Sequence, residues 1–153
     1  MNKHMPKPRS TPYEADYAQW CAEQGALLRE GRLSDLDRVN LAEEIESLGR
    51  SDRREIESRL KVLIMHLLKL RFQPERRTPG WQSTLREQRF RIGRILKESP
   101  SLRRYPQDVL NEEYALARFE AAEETGLPEE TFPKTCPFTI EEILDAAFLP
   151  MAD

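Results

Sequence analysis

His66 is the one histidine beyond the N-terminal dozen residues, and with Asp37 and Lys69 it forms the first set here whose side chains could do chemistry. An imidazole exchanges its proton near neutral pH, and a carboxylate beside it fixes the tautomer and stabilises the cation. An Asp–His pair with Lys69 nearby would therefore serve as an oriented general base. That requires the segments carrying Asp37 and His66 to fold back as an antiparallel hairpin about Arg50. At about 1.5 Å per residue, His66 then stands roughly 24 Å from the turn and Asp37 roughly 20 Å, with Glu44 only about 9 Å away. If the helix instead continues through Gly49, the pair separates. The ordinary reading is a half-buried helix histidine satisfied by one carboxylate or carbonyl, and it is favoured because no nucleophile or metal completes a site.

Other chemical signatures are absent from the sequence. Glu43, Glu44 and Glu46 supply carboxylates, but there is no Glu-x-x-His, no His-Glu-x-x-His and no paired Cys-x-x-Cys, so no metal is expected. Cys21 and Cys136 match no metal spacing and read as two reduced thiols. Six scattered glycines leave no phosphate-cradling loop, and there is no nucleophile elbow. The sequence calls for no cofactor, and the balance is against an enzyme.

A basic run is the stronger rival. From Lys69 to Arg104, eleven lysines and arginines stand against Glu75, Glu87 and Glu98, a local charge of +8. Phe72, Trp81, Phe90 and Tyr105 interleave with them, as in a surface that holds a nucleic-acid backbone and stacks bases. Arg76, Arg77, Arg86, Arg89 and Arg94 are its candidate contacts. Against this, Glu87 can pair with Arg91 and Arg94 with Glu98 along one helix. The net charge of −3 gives the whole chain no drive toward nucleic acid. Nucleic acid is a possible partner but not the favoured one.

The elements that position these residues are helical throughout. A first helix is expected from about Tyr13 to Glu30, with Tyr17, Trp20, Cys21, Leu27 and Leu28 at helical spacing and Gly31 at its end. Ser34 offers an N-cap with Asp37 three residues on, and Leu41, Ile45 and Leu48 make one stripe up to a stop at Gly49. A third helix restarts at Ser51, and its seam of Ile56, Leu60, Leu63, Leu67 and Leu70 is apolar enough to be central. Helix four begins near Trp81 and buries Leu85, Ile92 and Leu96. Helix five presents Leu110, Tyr114, Ala117 and Ala121, then meets a left-handed cap at Gly126. Thr139 and Glu142 open a short last helix with Ile140, Ile143, Leu144 and Phe148.

The expected fold is all-α, a single compact bundle of five to six helices over residues 13–153 behind a disordered tail over residues 1–12. No stretch approaches the roughly 18 apolar residues of a membrane span, and the start lacks a signal peptide's apolar core. A cytoplasmic protein with no membrane partner is expected.

The run Leu41-Ala42-Glu43-Glu44-Ile45-Glu46-Ser47-Leu48-Gly49, with His66-Leu67-Leu68-Lys69, resembles the bacterial family called domain of unknown function 29. Tyr13, Trp20, Trp81, Ser99-Pro100-Ser101-Leu102, Phe132-Pro133, Cys136-Pro137, Ile143-Leu144, Phe148 and Pro150 extend the likeness over nearly all the chain from Tyr13. The resemblance implies an all-helical, intracellular bacterial protein and no assigned activity. With chemistry lacking and the basic run matched by eleven acids between Glu112 and Asp153, the expected function is a protein-interaction or regulatory module. Its partner would be another protein or a second copy of itself.

Overall fold

The computed structural model describes Ser10 to Ala152. Among these residues five α-helices and no strand form: α1 (Tyr17–Arg29), α2 (Arg38–Phe72), α3 (Pro79–Glu98), α4 (Tyr105–Thr125) and α5 (Ile140–Leu144). The all-α expectation holds. The first nine residues of the expected tail lie outside the described part. The chain divides into two compact units, one through Gly49 and one from Arg50.

In the first unit, α1 starts four residues later than the spacing suggests, because Asp16 caps it by accepting from the Gln19 N–H at 3.0 Å. Upstream of it, Thr11 is held by Glu23, its N–H and hydroxyl each donating to the carboxylate at 2.7 Å. Gly31, at φ 71°, ends the helix in a Schellman turn: Arg32 N–H reaches the Leu27 carbonyl at 2.9 Å and Gly31 N–H that of Leu28 at 3.1 Å. Ser34 does not cap α2. It lies within a 3-10 turn, Leu33–Asp35, and Asp37 takes the cap instead, accepting from Asn40 N–H at 3.3 Å. The reason is that Asp37 is fixed twice over, by the Trp20 indole N–H at 3.0 Å and by its own N–H on the Gln24 amide oxygen at 2.8 Å.

The largest departure is at Gly49. Glycine weakens a helix interior by only about 1 kcal/mol relative to alanine, which the good helix formers on either side outweigh. The two expected helices are therefore one of 35 residues.

In the second unit the expected seam is buried throughout, from Ile56 to Leu70. Leu85 and Ile92 of α3 and Leu110, Tyr114, Ala117 and Ala121 of α4 complete the core, as their spacing predicts. Ala117 and Ala121 have no accessible surface, so α4 lies close on its neighbours there. Gly126 (φ 71°) closes α4. The proline-rich stretch beyond it is tied back by side chains of α4. The Tyr114 hydroxyl donates to the Pro133 carbonyl, and Arg118 donates to the Phe132 carbonyl at 3.1 Å and to Glu129 at 2.9 Å. Phe132 is buried and meets Phe72 edge to face at 5.3 Å. Thr139 caps α5 through the Glu142 N–H at 3.2 Å.

Candidate functional site

Tyr13, Tyr17 and Trp20 follow one another at spacings of four and three, which brings their rings together at the start of α1. Tyr13 meets Trp20 edge-on at 4.9 Å and Tyr17 at 5.7 Å. Both phenols donate to Glu44 of α2, Tyr17 at 2.8 Å. Those bonds from Tyr13 and Tyr17 hold the Glu44 carboxyl below its ordinary range, and the carboxylate in turn raises both phenols. Asp37 is lowered by the Asn40 amide first and the Trp20 indole after it. These polar bonds hold α1 against the start of α2.

They leave one face of that helix uncovered. Of the stripe Leu41, Ile45 and Leu48, only Leu41 is half-buried; Ile45 is 66% exposed and Leu48 70%. Apolar residues at a four–three spacing form the seam by which helices pack. On α2 this seam is filled from Ile56 onward and open at Ile45 and Leu48.

Asp37 lies in the first unit and His66 and Lys69 in the second, and each has partners within its own unit. α2 is continuous through Arg50, where a hairpin was expected. Asp37 is satisfied by Trp20, Gln24 and Asn40. The His66 Nδ1–H donates to the Val62 carbonyl at 2.9 Å, one turn back, which leaves Nε2 as the unprotonated nitrogen. Burial pushes the His66 pKa down, and the nearby Lys69 adds to that while Glu124 opposes it. Lys69 spends its ammonium on Glu124 at 2.8 Å and on the Trp81 ring, 4.6 Å from its centroid. His66 and Lys69 thus belong to the packing between α2 and α4.

The five arginines divide. Arg76 and Arg77 are exposed in the turn before α3, and Arg86 is exposed on α3. Arg94 is exposed but paired with Glu98 at 3.1 Å. Arg89 is the correction. It is 8% exposed, and its guanidinium donates to three carbonyls: Ile143 at 2.8 Å, Phe148 at 3.0 Å and Glu142 at 3.5 Å. Sequence spacing placed it with the surface arginines, whereas it fastens the end of α5 to α3. Nothing in the sequence marks it except its position four residues after Leu85 and three before Ile92, on the buried side.

Two further features have weak sequence signals. Glu113 is buried on α4, with its carboxyl raised by desolvation and then by the charge of Glu57, against the pull of Lys61. Cys136 is half-buried and its thiol is raised by that burial, so it is a poor nucleophile. Among the described residues no group of three His, Cys, Asp or Glu side chains can hold a metal, and no helix is long and apolar enough to cross a membrane.

A family model described as "Domain of unknown function DUF29" matches residues 12–149. No curated protein and no solved structure matches the chain.

Proposed function

The chain belongs to the DUF29 family, whose description assigns no activity, and we propose that it is a protein-interaction module that receives a partner's helix on the open seam of α2. The observation that carries this is the exposure of Ile45 and Leu48 at helix-packing spacing. An exposed apolar stripe on an otherwise charged helix supports docking of an amphipathic helix laid along it.

Charge supports the kind of helix. Tyr13 to Gly49 carries nine acids against Arg29, Arg32 and Arg38, a charge of −6. The partner helix is therefore apolar on one face with basic flanks, and encounter is helped by the opposite charge. A nucleic-acid reading has less behind it, since Arg89 is buried and Arg94 is paired.

The test compares the tagged chain with an Ile45→Glu/Leu48→Glu variant in nuclease-treated extract of its own host. Both positions are exposed, so helical circular dichroism should be unchanged. A stoichiometric protein captured by the wild type through a basic amphipathic helix, and lost by the variant, supports the proposal. Equal capture by both, or recovery of nucleic acid alone, sinks it. A dimer of the isolated chain that dissociates in the variant would replace the partner by a second copy.

A further inference from the structure

A groove of about 630 Å³ runs between the first half of α3 and the segment that follows α5. Its size falls within the roughly 300–1,000 Å³ of small-ligand sites. Leu85, Phe90, Leu144 and Leu149 supply apolar walls, and Phe90 remains 68% exposed beside it. Two arginines, Arg86 and Arg89, line it from positions three apart on α3.

Both have donors to spare. Arg86 makes no hydrogen bond or ion pair among the described residues. Arg89 uses Nε and Nη2 on its three carbonyls, which leaves Nη1 without an acceptor. No sealed side-chain nitrogen or oxygen among the described residues lacks a partner. Nη1 is therefore not sealed, and Arg89 is one of the residues that line the groove. The lining thus includes a nine-tenths buried cation with one guanidinium nitrogen unpaired and not sealed.

We infer that this groove binds a small carboxylic acid with an apolar body, the carboxylate on Arg86 and the free edge of Arg89 and the body along the leucines. A carboxylate is planar with two acceptor oxygens and matches a guanidinium fork. The charge selects a single anion: Arg89 is already offset by three carbonyl dipoles and by Asp145, so Arg86 supplies the one uncompensated cation. A polyphosphate would bring more charge than the groove can match. The ligand is a free acid and not a peptide, because the walls are helix and turn, and no strand among the described residues offers an edge for an extended chain.

The probe is octanoate, titrated calorimetrically into the full chain and followed by amide shifts in nuclear magnetic resonance spectra. Octan-1-ol, the uncharged analogue, is the control. The expected result is saturable binding of one octanoate per chain, with shifts confined to the first half of α3 and residues 144–149. Octan-1-ol should bind at least about 10-fold more weakly, and Arg86→Gln should weaken octanoate by about 10- to 100-fold. Ala147→Trp, an exposed position on the rim, should block the groove and abolish binding. Octanoate affinity weaker than about 1 mM, equal affinity for the alcohol, indifference to Arg86→Gln, or shifts elsewhere would each overturn the assignment. This site and the α2 seam fail independently, since neither variant touches the other.

Discussion

Arg89 Nε–H donates to the carbonyl of Ile143 at 2.8 Å, so the most buried arginine of the basic run closes α5, the shortest of the five α-helices described. A five-residue helix leaves nearly all its carbonyls without intrahelical partners and cannot persist alone. Arg89 takes the carbonyls of Glu142 and Ile143 at its end and that of Phe148 beyond it. Burial pulls the Arg89 pKa down, with Asp145 opposing, but a guanidinium keeps its proton under any such shift.

Replacing Arg89 by methionine should therefore cost about 2–4 kcal/mol, because buried carbonyls lose charged donors. Arg89→Lys should recover only part, since an ammonium lacks the fork that reaches three carbonyls at once. Arg86→Gln, exposed one turn earlier, should stay within about 0.5 kcal/mol of wild type. Urea midpoints decide this, and equal midpoints for Arg89→Met and Arg86→Gln would show that the carbonyl bonds contribute nothing.

His66 makes stability fall on mild acidification. Its pKa in the folded chain lies below the ordinary 6.5, with burial the main cause, so the unfolded chain takes up the proton first. The stability is complete above about 6.5 and is lost as pH falls toward the folded value. The charges facing His66 are Lys69 on its own helix, which deepens the effect, and Glu124 on α4, which opposes it. Glu113 works in the reverse sense, its raised carboxyl being relieved by protonation. The difference between wild type and His66→Gln isolates the histidine. Denaturant midpoints measured downward from pH 7.5 should fall more for the wild type, and parallel curves would refute this.

How much of this was legible in the sequence depends on what decides each feature. The buried seam from Ile56 to Leu70, the Ala117–Ala121 face and the Gly126 cap could be read because periodicity and backbone preference decide them locally. Gly49 misled because its local cost is small against the cooperative run of 35 residues. The Asp37–His66 pairing rested on that same stop. Arg89 could not be sorted from Arg86 by type, since only the docking of a segment more than fifty residues away turns it inward. The Glu44 bond to Tyr13 and Tyr17 was hidden among three neighbouring glutamates, and only the packing of α1 selects one of them.

Tyrosine ionisation tests that selection. All four tyrosines are held above the ordinary 10.0, Tyr13 and Tyr17 chiefly by Glu44, Tyr105 to about 12 chiefly by Glu57, and Tyr114 to about 12 by burial. A carboxylate that accepts a phenol's proton favours the protonated phenol. The wild type should show almost no phenolate absorbance near pH 10, whereas Glu44→Ala should release two tyrosines to titrate there. An unchanged titration would mean that Glu44 does not hold the phenols in solution.

Gly49 and Gly126 should respond oppositely to the same substitution. Gly49 lies inside α2 with open space where a Cβ would stand, so Gly49→Ala gains helix propensity and narrows the unfolded ensemble without a clash. It should stabilise the chain by about 0.5–1 kcal/mol. Gly126 sits at φ 71°, where a Cβ meets the backbone, so Gly126→Ala should destabilise by about 1 kcal/mol or more although its surroundings are equally open. Thermal midpoints of the two variants separate the cases. If Gly49→Ala lowered the midpoint, the helix would not be continuous there in solution, and the hairpin that would bring Asp37 toward His66 would have to be considered again.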